Sequence, residues 1–256
     1  MDKKKYKLTN DSKKVDGRIL YRIRALRNFG SVKKGDFGGY IASEENLSHD
    51  GLSWISDEAC AYDNARVYEN AQICGHAEVF GNAEVYSNVR VSGEAHIYDW
   101  AEIFGKAWIY GNAQVYGHAL VCDNVEVYGK ARIYDVACVV DNARIYDESI
   151  VHYASLIYDN ARIHGCAEVY NARIGTNGNI ECTKQYMTFG SFGSRGDTTT
   201  IYRTAEGVRV KCGCFNGTLD EFRKIVKATH SNNQYAKEYL AIADIAEIRF
   251  GKKEEE

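Results

Sequence analysis

An aliphatic side chain returns at every sixth position through the middle of this chain, and few folds can use such a period. From Ile55 the series runs Val67, Ile73, Val79, Val85, Val91, Ile97, Ile103, Ile109, Val115, Val121, Val127, Ile133, Val139, Ile145, Val151, Ile157, Ile163 and Val169, broken only at Ala61. Four positions after each aliphatic one sits a small residue, usually Ala, with Val89, Val125, Ser149 and Ser155 as variants. Six is a multiple of two and not of 3.6, so the pattern belongs to strands. In a strand, Ala and Ile of Ala-Arg-Ile-Tyr point inward while Arg and Tyr point outward. The Gly, Asn and Asp that follow tolerate turn backbone. Three such strands per coil make a triangular prism in which one coil is three hexads long. Twenty hexads from 55 to 169 predict six to seven coils. The absence of proline agrees, because coil-to-coil pairing uses strand N–H groups continuously. At Val169-Tyr-Asn-Ala-Arg-Ile174 the period falls one position short, which reads as the final turn.

These residues resemble the hexapeptide-repeat, left-handed parallel β-helix family, over about residues 37 to 180. The lead-in from Gly35 through Tyr40, Glu-Asn-Leu-Ser48 and Trp54 is similar to that of bacterial and phage hexapeptide proteins labelled transferases, whose activity is mostly unassigned. The fold class expected is mainly β: a left-handed parallel β-helix followed by a small C-terminal β-hairpin and two helices. The expected organisation is capping strands over 1–54, repeat over 55–182, and hairpin plus helices over 183–256.

Positions three hexads apart stack on one face, so the outer walls can be written down. The first face carries Tyr62, Phe80, Tyr98, Tyr116, Tyr134, His152 and Tyr170. The second carries Tyr68, Tyr86, Phe104, Cys122, Val140 and Tyr158, flanked by Arg66, Glu84, Glu102, Leu120, Cys138 and Leu156. Its upper half, Leu120, Cys122, Cys138, Val140 and Leu156, is an apolar patch expected to meet the C-terminal helices or another subunit. The third face offers Arg90, Trp108, Tyr110, Tyr128, Arg144, Tyr146 and Arg162 as a binding strip, since guanidinium and aromatic planes suit bases or a protein hot spot. Aromatic ladders also stabilise sheets without any ligand.

Over positions 1–40 twelve Lys and Arg stand against four Asp, while the whole chain has net charge -3. Such asymmetry fits a nucleic-acid arm. Ile19–Leu26 alternates like an edge strand, however, and lysines commonly guard edges. A capping strand with a solvated basic face is therefore expected. The basic start leads into no apolar run, so neither a secretory signal nor a membrane helix is expected and the location reads as cytoplasmic. The eight cysteines are scattered, with Cys212 and Cys214 separated by a single residue, and form no metal pattern. No cofactor or metal is expected.

Beyond Cys182 the hexads stop. Thr198–Thr204 and Val208–Cys214 read as a hairpin joined at Ala-Glu-Gly207. Thr218-Leu-Asp-Glu221 is a capping box opening a helix with Leu219, Phe222, Ile225, Val226 and Thr229 on its apolar face. A second helix is expected from Gln234 to Phe250, with Tyr235, Tyr239, Ile242 and Ile245 or Ala246 inward, and then a charged tail over 252–256. The glycine-rich stretch Phe189–Asp197 precedes a strand instead of a helix, so it reads as a hairpin loop and not as a phosphate cradle.

The family resemblance implies acyl transfer from a coenzyme A thioester, a trimer, an active site between prisms and a histidine base beside an extruded loop. The histidines are His49, His76, His96, His118, His152, His164 and His230. No insertion interrupts 55 to 169, and a general base needs a shaped pocket. The first expectation is therefore a non-catalytic scaffold that binds another macromolecule, a protein, through its flat faces, phage-encoded and acting on a host factor. A homo-oligomer, dimer or trimer, is compatible with it. Acyl transfer between subunits and nucleic-acid or nucleotide binding rank behind.

Overall fold

A computed structural model describes residues 4–251; positions 1–3 and the charged tail at 252–256 lie outside the described residues. Two-residue strands wind into three parallel sheets. The first contains Cys60–Ala61, Glu78–Val79, His96–Ile97 and their successors, the second starts at Arg66–Val67, and the third starts at Trp54–Ile55. Neighbouring rungs keep the step of three hexads: Arg90 lies beside Trp108, Trp108 beside Glu126 and Glu126 beside Arg144. Every inward aliphatic residue of the series is buried, with Ile97, Ile109, Ile133 and Val151 fully inaccessible. The inward variants Ser149 and Ser155 satisfy their hydroxyls on the carbonyls of Tyr146 and His152, at 2.7 and 2.8 Å.

The third sheet has eight rungs, so the solenoid is slightly taller than the six to seven coils expected. The difference lies past Val169. Arg173 pairs with Leu156, one position short of the regular step, and Asn179–Ile180 then pairs with Arg162–Ile163, short by the same amount. The missing residue shortens one coil but does not end the stack.

Corners are built at positive φ, mostly by Gly or Asp, with Glu69, Ser87, Tyr153 and Asn171 as variants. Asp147 has φ 59, and its carboxylate accepts a hydrogen bond of 3.0 Å from the N–H of Gly165 in the next coil. The same tie links Asp123 to the N–H of Asp141 and Asp141 to that of Asp159. In the column of Asp123, Asp141 and Asp159 the coil below carries Gly105, at φ 75, where an added Cβ would come 2.6 Å from the N of Asp123. Gly105→Asp is expected to be tolerated, because the three aspartates above occupy that geometry. Gly105→Val places a β-branched residue in the left-handed region and should cost about 1–3 kcal/mol. Urea unfolding of the two variants side by side checks the contrast, and equal midpoints would refute it.

The base is closed by Tyr6–Val15, Arg18–Ala25 and Phe37–Ile41, which extend the first sheet through antiparallel pairs and then join Cys60–Ala61 in parallel. The basic segment expected at the edge is an inner strand. An Asp16-Gly17 turn with both φ positive folds Tyr6–Val15 over its outer side. The strand Phe37–Ile41 passes so close to the first coil that a Cβ at Gly38 would meet Ile55 O and the Trp54 ring at 2.6 Å. Tyr6, Ile23, Phe29 and Trp54 join the solenoid core. Lys5 is also fully buried, its Nζ 2.7 Å from Ser53 O, and burial together with nearby Arg27 lowers its ammonium to about 8.

At the other end, Tyr186–Phe192, Asp197–Thr204, Gly207–Cys212 and Phe215–Thr218 form an antiparallel sheet, two strands more than the hairpin expected. Alternation along Asp197–Thr204 sends Tyr202 into the solenoid core and Ile201 into a second core with the helices. Helix α1 (Leu219–His230) has the expected Thr218/Glu221 capping box, and α2 (Gln234–Phe250) is capped by Asn233. Phe222, Val226, Tyr239, Ile242 and Ala246 face this sheet, while Ile225, Tyr235 and Ile245 stay largely exposed. Among the described residues, no helix is long and apolar enough to cross a membrane.

Candidate binding faces

The third-face strip is assembled as the repeat requires. Tyr110, Tyr128, Tyr146 and His164 stack with centroids 4.9, 4.9 and 5.0 Å apart and planes within 7° of parallel. Each interior ring therefore has both faces covered by its neighbours and shows solvent only an edge. Burial raises the phenols of Tyr110 and Tyr128, so they remain neutral. Trp108 lies 4.6 Å from Tyr110 at 37° and is 44% exposed, the one large ring of the strip with a free surface. Arg144 is 3.2 Å from Glu126, whereas Arg90 and Arg162 have no ion pair among the described residues. The strip thus supplies two free cations and one exposed indole. Its tyrosines are packing elements, which removes the stacking platform that base recognition would need.

The second face is different. Leu120, Cys138 and Leu156 are consecutive rung neighbours, and Cys122 and Val140 stand beside them. Helices α1 and α2 pack on the C-terminal sheet, so they are not the cover expected for this patch. Its thiols are inert: burial and the Asp123 acceptor push Cys122 up to about 12, and burial raises Cys138. Both remain protonated; Cys122 is buried and Cys138 half-buried, so the patch shows little sulfur.

The apolar patch continues onto the adjoining corner, which the outward positions of the strands do not include. There Asn64 and Asn82 form a polar ladder, at 3.0 Å, and the positions stacked above them are Trp100, His118, Val136 and Ala154. Trp100 is 57% exposed and stacked on His118 at 5.2 Å, and Val136 is 58% exposed. Val136, Cys138 and Val140 lie along one rung, so corner and face form one apolar surface. The signal was available in the hexad, since Trp and Val replace the turn asparagine at 100 and 136. The border is acidic on balance, with Glu84, Glu102, Asp123, Asp141 and Asp159 against Lys106, Arg173 and Arg66, the last 3.4 Å from Glu84.

The histidines do not converge on a cleft in the prism. His152, which replaces Tyr in the first-face ladder, is buried beside Tyr134 and Tyr153, its Nε2 3.1 Å from Glu168 and its Nδ1 3.8 Å from Asp135. His118 is spent on Trp100 and His164 on Tyr146. Part of the basic N-terminus is likewise engaged: Lys4 with Glu44, Lys13 with Glu58, Arg18 with Asp63, and Arg22 with Asp11 and Glu58, whereas Lys7, Lys14, Lys33 and Lys34 have no ion pair among the described residues. Neither a protein-family model nor a curated protein matched the chain.

Proposed function

We propose that this chain is a non-catalytic β-solenoid scaffold that docks a protein partner on its second face and the adjoining corner. The observation that carries the reading is the uncovered apolar surface of Trp100, Leu120, Val136, Val140 and Leu156, which the chain's own helices leave open. Its acidic border favours a partner whose apolar contact is ringed by Lys or Arg, which would steer association and set its salt dependence. The six-position period supports placing the chain with hexapeptide-repeat left-handed β-helices. The similarity of the lead-in to phage proteins supports a phage-encoded factor directed at a host protein.

Leu120→Glu combined with Leu156→Glu is expected to weaken partner capture tenfold or more, since central apolar anchors are each worth about 1–2 kcal/mol or more. Both side chains point outward, so the far-ultraviolet spectrum and melting point should stay those of the wild type. Capture from a host lysate and the mass by light scattering are measured on both proteins. A lower mass in the variant would make the partner a second copy of this chain. Unchanged capture and unchanged mass would refute the docking face. Turnover of acetyl-coenzyme A by the wild type would refute the non-catalytic reading.

A further inference from the structure

An apolar concavity lies away from the prism, where the tip of the C-terminal sheet meets the two helices. It is a cavity of about 220 Å³. A cavity of about 150 Å³ takes up benzene, so this one has room for a single ring or a branched aliphatic group with a small polar head. Its floor is Phe215, Phe222, Val226 and Tyr239, with Phe215 and Phe222 rings 5.4 Å apart and Phe222 edge-on to Tyr239 at 5.8 Å, and Thr229 and His230, the latter 5.6 Å from Tyr239, complete the wall. Gly193 packs against the Tyr239 ring with no room for a Cβ, which holds the loop carrying Arg195 and Asp197 at the mouth.

These two charges are placed unusually. A Cβ built on Gly213 would stand 3.2 Å from Asp197 Oδ2 and 3.8 Å from Arg195 Nη1, so the two heads flank the same glycine. Neither forms an ion pair among the described residues, and Arg195 Nη1 donates only to Cys214 Sγ, at 3.9 Å. Gly213, at φ 53, brings no side chain of its own between them. A mouth with one separated cation and one separated anion, over an apolar floor, matches a ligand with the converse arrangement.

We infer that this cavity binds a small zwitterion with an apolar side chain, an apolar L-α-amino acid. The ligand carboxylate meets Arg195, its ammonium meets Asp197, and its side chain enters the floor between Phe222 and Val226. Hydrogen bonds between charged groups supply the orientation and the apolar floor supplies the affinity. The site is independent of the docking face on the prism.

Titration calorimetry of the full chain tests the assignment with L-phenylalanine and L-leucine as probes. Binding of at least one is expected. N-acetylation, which removes the ammonium, and amidation, which removes the carboxylate, should each weaken it about tenfold or more. Arg195→Gln and Asp197→Asn alter exposed or half-exposed side chains and should each weaken binding by a similar factor at unchanged melting temperature. Absence of heat with both probes up to about 10 mM, a range that covers weak millimolar sites, would overturn the assignment. So would equal binding of the acetylated and amidated forms, or equal binding by the two variants; either would make this a plain apolar hole. A variant whose melting temperature falls is replaced in the comparison by Arg195→Lys or Asp197→Glu, which keep the charge and should retain part of the affinity.

Discussion

Ile133→Asp should abolish cooperative folding of the solenoid. Ile133 is fully buried and stacked between Val115 and Val151 in the middle of the column. The change removes an apolar side chain worth about 2–5 kcal/mol and leaves a carboxylate with no partner, which costs several kcal/mol more. Whole domains are stable by only about 5–15 kcal/mol, so one such change consumes most of the margin. Each coil contacts only its neighbours, and a break in mid-column separates the stack into two short pieces with new open ends. Ile133→Val should cost only about 0.5–1.5 kcal/mol. Arg132→Asp, at the adjacent position and pointing outward, should change stability by about 0.5 kcal/mol or less. Urea unfolding followed by circular dichroism compares the three. An Ile133→Asp midpoint equal to that of Arg132→Asp would mean that the rungs do not hold the column.

Deleting residues 1–36 should make the protein associate further, through the exposed base of the column. The deletion takes Tyr6, Leu20, Ile23 and Phe29 from buried positions, each worth about 1.5–3 kcal/mol. It also strips the antiparallel partner from Phe37–Ile41, leaving a paired sheet with a bare edge over an open core. Bare edges recruit other strands. The expected result is a light-scattering mass that grows with concentration, together with a lowered melting temperature. A truncated chain that keeps the association state of the full-length protein at every concentration and melts with it would show that the first coil needs no cap.

Much of this molecule is legible in the residues because the coil contacts are nearly local. When every sixth position is Ile or Val, burial leaves only one winding in which all of them face inward, and the stacking partner of Arg90 or Tyr110 follows by counting three hexads on. The cap was less legible. The lysines of Tyr6–Val15 mask its strand character although its turn signal, Asp16-Gly17, is present, so the sequence pattern alone puts Arg18–Ala25 at the edge. The sheet at the far end gained two strands for a related reason: Tyr186–Phe192 and Phe215–Thr218 are irregular in polarity and are held by their neighbours more than by their own pattern.

The repeat alone determined the prism, the identity of its three walls and the inward rows of Ile, Val and Ala, since these follow from side-chain alternation and a constant coil length. Tertiary structure decided which outward groups remain available. Whether a tyrosine shows its face or only its edge depends on the ring that the next coil sets over it. Whether the second-face patch is covered depends on where α1 and α2 settle, and they settle on the C-terminal sheet. The cavity beneath Arg195 and Asp197 exists only because a loop, a turn and two helices, distant along the chain, meet there, and no local pattern encodes that meeting.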